Sequence, residues 1–156
     1  MNRRELREHC FKMLFCADFY PAEEREQQFE SYFEALQEDE TTPEGVLTIL
    51  HQGVSDPKDR QYLETKAAAV ISLIPELDDR INEVAQGWKT RRMGRVDLAI
   101  LRLALYEMIH DEEIPEKVAI NEAVELAKKF GQKESQAFIN GVLAKLVSNT
   151  GQKASE

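Results

Sequence analysis

An all-α fold, with two small helical lobes packed around a buried central helix, is what this sequence predicts, and three features predict it. Between Met93 and His110 the run MGRVDLAILRLALYEMIH carries apolar residues so densely that, at about 100° per residue, they surround most of a helix. Such a helix is buried. Prolines and glycines fall where helices start and stop, at Pro21, Pro43, Pro57, Pro75 and Pro115 and at Gly53, Gly94 and Gly131. No stretch alternates apolar and polar residues as a strand would, and no internal repeat is present.

In chain order, Arg3 to Tyr20 reads as a helix with two stripes. Leu6, Cys10, Met13, Leu14 and Ala17 form an ordinary core face. Arg4, Phe11 and Phe15 lie within about 40° of one another, flanked by Arg7, Lys12 and Phe19, a spacing that suits phosphate contact with stacking on unpaired bases. The plainer reading puts Phe11 and Phe15 in the core under a second helix and leaves the arginines as a solvated end. By pattern alone the plainer reading is favoured.

Pro21 ends that helix, because the residue before proline avoids the α region. Ala22 to Glu40 follows as an acidic helix with a narrow stripe of Phe29, Phe33 and Leu36 beside Tyr32. Thr42 with Pro43 opens a short helix that Gly53 stops, and Ser55 or Asp56 with Pro57 repeats the signal for a helix from Lys58 to Ile74. Its inward residues are Tyr62, Leu63, Ala67, Val70, Ile71 and Ile74. Glu76 to Arg92 is next, with Leu77, Ile81, Val84 and Trp88 inward, and WKTRRMGR, from Trp88 to Arg95, holds four bases and no acid. After the central helix, Asp111 to Glu113 is a loop. Pro115 starts a helix with Ala119, Ile120, Ala123, Ala127 and Phe130 on one face, which Gly131 closes as a C′ glycine. Gln136 to Val147 completes the bundle. The expected division is residues 1–74, a lobe with the basic first helix, 75–148, a second lobe, and 149–156, a disordered tail.

Charge and cysteine usage exclude several classes. The chain of 156 residues has 20 bases against 29 acids, net −9, which argues against indiscriminate binding to nucleic acid or anionic membrane. The imbalance is local. Glu23 to Glu44 contains nine acids and only Arg25 as a base, so the remainder is nearly neutral and its basic clusters can act at short range. Neither a signal peptide nor a membrane span is visible, so the protein is expected in the cytoplasm. Cys10 and Cys16, six apart on one helix, lie too far round it to bridge and read as reduced structural thiols. His9, His51 and His110 have no partner at metal-ligand spacing, and no phosphate-cradling glycine loop or nucleophile elbow occurs. Neither an enzyme nor a cofactor or metal is expected.

The central helix makes one demand of its own. Asp97, Arg102 and Glu107 are five apart and point in three directions, so at least one is buried. Arg102 then needs a carboxylate on another helix, with Glu122 and Glu125 the nearest candidates.

VDLAILRLALYEM, IPEKVAINEAVELAKKFG and SQAFINGVLAKL, in that order and with those gaps, closely resemble the C-terminal half of the NusB transcription antitermination family. RRELREHCFKMLF is similar to that family's arginine-rich first helix, though shorter and less basic. The match covers roughly Arg91 to Leu146 and outweighs the plainer reading of the first helix. The resemblance implies an all-helical protein of two lobes that binds single-stranded boxA RNA together with NusE, the small-subunit ribosomal protein, in ribosomal RNA transcription. NusB-like domains also stand at the front of RNA cytosine methyltransferases, but no such catalytic domain is expected here. By the same resemblance Arg3, Arg4, Arg7, Lys12, Phe15, Gln132, Lys133 and Phe138 would face RNA. Asp97, Phe130 and Glu134 would face NusE, with Glu134 departing from an aspartate of some relatives. For Phe130 and Phe138, core packing stays open. The competing function is a helical protein adaptor without RNA, which would bury the first helix's aromatic stripe under Phe29 and Phe33.

Overall fold

The computed structural model describes residues 1–25, 27–40, 53–85, 87 and 89–150, and the side chains of 35–40 and 148–150 are outside that description. The described residues form helices and turns, with no strand among them. They divide into two compact units, Met1–Ile71 and Ser72–Glu156.

The N-terminal unit begins with α1, Arg3–Ala17. Asn2 opens it with a reciprocal capping box: its side-chain oxygen accepts from the Glu5 N–H at 2.8 Å, and the Glu5 carboxylate accepts from the Asn2 N–H at 3.0 Å. The helix stops three residues before the expected Tyr20. Phe19 and Tyr20 donate instead to the carbonyls of Cys16 and Ala17 three residues back, a tightened last turn that uses up those acceptors. Pro21 then leads into a 3-10 turn, Ala22–Glu24, so the acidic helix, α2, is only Gln28–Glu40. Phe29 and Phe33 are buried as expected. α3 runs Pro57–Ser72, with the Asp56 carboxylate accepting from the Lys58 N–H at 2.9 Å. The short helix expected between Thr42 and Gly53 falls on residues 41–52, outside the description.

One inward expectation on α3 fails, and a residue not expected inward is buried beside it. Tyr62 is 44% exposed and Lys66 is buried, because the lysine lays its stem inward and reaches back one turn, its Nζ donating to the Tyr62 hydroxyl at 3.4 Å. α1 and α2 are joined by the Tyr32 hydroxyl and His9 Nδ1 at 2.6 Å, a contact the sequence did not announce.

The C-terminal unit comprises α4 (Ile74–Val84), a 3-10 turn (Thr90–Arg92), α5 (Arg95–His110), α6 (Glu116–Phe130) and α7 (Ser135–Thr150). α5 is the post of this unit and lies against α4, α6 and α7. Ile100, Leu101, Leu103 and Leu105 are each at most 1% exposed, while Arg102, Tyr106 and Ile109 form a half-buried stripe on the remaining side, so the helix is covered most of the way round. Of its charges, Glu107 is wholly buried. The carboxylate that Arg102 grips is on α4, whereas Glu122 or Glu125 of α6 was expected. Arg102 forms a two-pronged bond with Asp78 on α4, Nε to Oδ1 at 2.8 Å and Nη2 to Oδ2 at 2.7 Å. The face of α5 that carries Arg102 is turned to α4, where Asp78 follows the buried Leu77.

Three boundaries differ from expectation. Pro75 sits inside the first turn of α4, where its missing N–H costs nothing, and α4 ends at Val84 rather than Arg92. Gly87, at φ +79°, turns the chain in between. α7 runs to Thr150, into the stretch expected as tail, and Trp88 and 151–156 are outside the description.

Candidate nucleic-acid interface

In the C-terminal unit the end of α6 and the start of α7 are drawn together by Gly131. Its φ is −90°, so the left-handed cap expected there is not its role. A Cβ at this position would come within 2.7 Å of the Ala127 carbonyl and of the Ser135 side chain, so the residue is glycine because backbone and side chain close on it. The loop that follows is sealed reciprocally. The Gln132 N–H donates to Ser135 Oγ at 2.9 Å, and the Ser135 N–H donates to the Gln132 carbonyl at 3.1 Å. Ser135 is buried, while Gln132, Lys133 and Glu134 are exposed.

Opposite this loop lies the entry to α5. Asn82 of α4 fixes it, its Oδ1 accepting from the Thr90 N–H at 2.8 Å and its Nδ2 donating to Thr90 Oγ1 at 3.4 Å. Thr90 and Met93 are buried by that anchoring, and Gly94 stands at the N-cap of α5. Between loop and entry is a pocket of about 480 Å³ lined by Met93, Gly94 and Asp97 on one side and by Gln132, Glu134, Ser135 and Phe138 on the other.

The lining determines what the pocket can hold. Phe138, half-buried, offers a ring face; Asp97 and Glu134 offer acceptors; Gln132 offers both an acceptor and a donor. No basic side chain among the described residues lines it, so its two carboxylates would repel a phosphate there. A flat, uncharged group with amino or imino donors on its edge fits, as a nucleobase does. No group of three His, Cys, Asp or Glu that could hold a metal is found among the described residues.

Four of the expected site residues therefore meet: Gln132 and Phe138 from the RNA set, Asp97 and Glu134 from the partner set. Lys133 is exposed on the loop but outside the lining, and Phe130 is half-buried with Lys129 Nζ 5.4 Å from its ring centre. Met93, Gly94 and Ser135 escaped the sequence reading, although a small residue beside Met93 and a serine four after Gly131 were visible signals of a tight entry.

In the N-terminal unit α1 presents Arg3 and Arg4 to solvent, while Arg7 and Lys12 are buried and Lys12 pairs with Glu8 at 3.5 Å. Solvent exposure of the whole stripe is therefore not found. The aromatics form a ladder from interior to surface: Phe11 is 3% exposed, Phe15 half-buried and Phe19 61% exposed. Phe15 lies 6.3 Å from Phe11 and stands edge-on to Phe19 at 5.2 Å. Arg25 braces the outer end, its Nε donating to the Tyr20 carbonyl at 3.1 Å and Nη2 lying 3.7 Å from Asp18. Neither cysteine is in a disulfide; Cys10 is buried and Cys16 exposed, so only the first is a packed structural thiol. Partial burial still pushes the Cys16 thiol up, against the pull of Lys12. Burial likewise raises the Tyr32 hydroxyl, helped by Cys16, Cys10 and Glu8, so it stays protonated beside His9.

Comparison with known proteins places these features in a family. The family model described as NusB family matches residues 4–148. The transcription antitermination protein NusB of Agathobacter rectalis is 47% identical over 93% of this chain and 98% of its own length. That of Lachnoclostridium phytofermentans is 42% identical over 94% and 99%. The solved structure of T. maritima NusB superposes with a TM-score of 0.76 at 27% identity, covering 100% of this chain and 99% of the other.

Proposed function

The chain belongs to the NusB family, and from that premise we propose that it is a transcription antitermination factor, binding single-stranded boxA RNA as a heterodimer with the ribosomal protein NusE in ribosomal RNA transcription. Proteins of this family are regulatory factors, not enzymes. The observation that carries the reading is the meeting of Phe138, Gln132, Asp97 and Glu134 around one pocket. An unpaired base can stack on Phe138 and exchange hydrogen bonds with Gln132, while Asp97 and Glu134 on the same lining take the partner contact. Lys133 on the loop, and Arg3 and Arg4 on α1, then serve the phosphates, and half-buried Phe15 offers a second ring.

NusE supplies what this chain lacks. With a net charge of −9, its attraction for RNA is short-ranged, and a Debye length of about 8 Å leaves part of the repulsion by its own acids unscreened. A basic partner beside Asp97, Glu134 and Phe130 would neutralise acids and lengthen the positive path. Cytoplasmic action is part of the proposal; no helix among the described residues is long and apolar enough to cross a membrane. The stripe of α1 separates this reading from an adaptor without RNA through Phe15, which the first needs exposed and the second buried under Phe29 and Phe33; Phe15 is half-buried, so the choice rests on the pocket.

Phe138→Ala should weaken boxA binding by about 1 to 3 kcal/mol, the usual value of one stacked base. Gln132→Ala, at an exposed loop position where the fold is not at risk, should weaken it by a smaller amount. Unchanged RNA affinity in both variants would sink the reading.

A further inference from the structure

WKTRRMGR is the basic segment that the pocket leaves unused. Arg91 and Arg92 lie on the Thr90–Arg92 turn and are exposed, whereas Thr90 and Met93, on either side of them, are buried. The Asn82 clamp on Thr90 fixes this alternation, so the two guanidinium groups project from an anchored turn. Neither arginine makes an ion pair among the described residues. Lys89 differs, its Nζ donating to the Asn82 carbonyl at 3.3 Å. Arg92 and Arg95 immediately flank Met93 and Gly94, which line the pocket.

We infer that Arg91 and Arg92, with exposed Arg95 beside them, form a binding track for the sugar-phosphate backbone of the single-stranded RNA whose base enters the pocket. The inference rests on the RNA reading above. A pocket whose charged lining is Asp97 and Glu134 can accept a base but repels the phosphates joined to it. Those phosphates must leave by the rim, and on the α5 side the rim is arginine. Guanidinium forks suit phosphate oxygens and carry no base preference, so the track adds affinity and leaves sequence choice to the pocket.

The test uses the full chain with NusE, a boxA-like single strand and a polyuridine strand of equal length, at several salt concentrations. Arg91→Ala with Arg92→Ala should lower affinity for both strands alike, by roughly tenfold at low salt, and should flatten the salt dependence by about 1.4, or 0.7 for each phosphate no longer neutralised. Arg91→Lys with Arg92→Lys should keep the slope, since lysine still neutralises a phosphate. Both positions are exposed, so thermal melts should be unchanged. If the native chain binds RNA and the alanine variant matches it in affinity and slope, the track is not there while the pocket reading survives. A loss confined to the boxA-like strand would mean base recognition, and a loss of NusE binding alone would mean a protein contact; either overturns the inference. A native chain that binds neither strand overturns the pocket reading and the track together.

Discussion

α1 and α5 are nearly equal in length, 15 and 16 residues, and both mix arginine with large apolar side chains, yet they bury them by different rules. On α5 apolar residues fill most of the wheel, and burial is broken only by a half-buried stripe of Arg102, Tyr106 and Ile109 and by the two ends. On α1 the aromatics Phe11, Phe15 and, past its end, Phe19 step about 40° apart round the wheel, and exposure climbs from 3% at Phe11 to 61% at Phe19. Angle around the axis carries them away from the core face, and position along the axis carries them toward the helix end. A helical wheel discards the second coordinate.

The sharpest test of this contrast is within α1. Phe11→Ala should cost about 3 to 5 kcal/mol of stability as a large core deletion. Phe15→Ala should cost less than half of that and show its effect in RNA affinity instead. Denaturant unfolding of both variants checks the gradient, and equal losses would erase it. On α5 the corresponding test is charge. Asp78→Ala should cost about 2 to 3 kcal/mol, below the 3 to 5 of a fully enclosed pair because the Asp78 side chain is 20% exposed. Arg102→Met should be tolerated better, since it removes the charge along with its need for a partner. Thermal melts in which the aspartate variant is as stable as the native chain would mean that Arg102 is satisfied elsewhere. The smallest effects separate two glycines of the pocket region. Gly131→Ala should cost about 1 to 3 kcal/mol, since its Cβ would meet backbone and a buried serine at 2.7 Å. Gly94→Ala, with open space at the Cβ and φ −59°, should stay within about 0.5 kcal/mol, so similar melting temperatures for the two would undo the packing argument for Gly131.

Much of the fold was legible because its signals are local. Pro57 after Asp56, Pro115 and the apolar density of α5 each act within one or two turns, and the helices they mark are where they should be. The partner of Arg102 was not legible, because which helix faces α5 at that point is a tertiary fact, and Asp78 has no feature on α4 that sets it apart from Asp79. The exchange of Tyr62 for Lys66 was hidden too, since a lysine stem buries like an apolar residue while its head reads as charge. At the site, the resemblance named Gln132, Glu134, Phe138 and Asp97 singly. That they share one pocket follows from the packing of α7 against α5, which brings together segments more than thirty residues apart, while the closure at Gly131 and the Asn82 clamp shape its two walls.

A joint grip on boxA RNA by this chain and NusE is tested most directly by titrating each ligand in the presence and absence of the other. Linked binding of this kind usually amounts to about 1 to 3 kcal/mol, roughly 5- to 150-fold, and it must be reciprocal. Saturating NusE should tighten RNA binding by such a factor, and RNA should tighten NusE binding by the same factor. RNA affinity that is identical with and without NusE would contradict the heterodimer mechanism, even if both ligands bind.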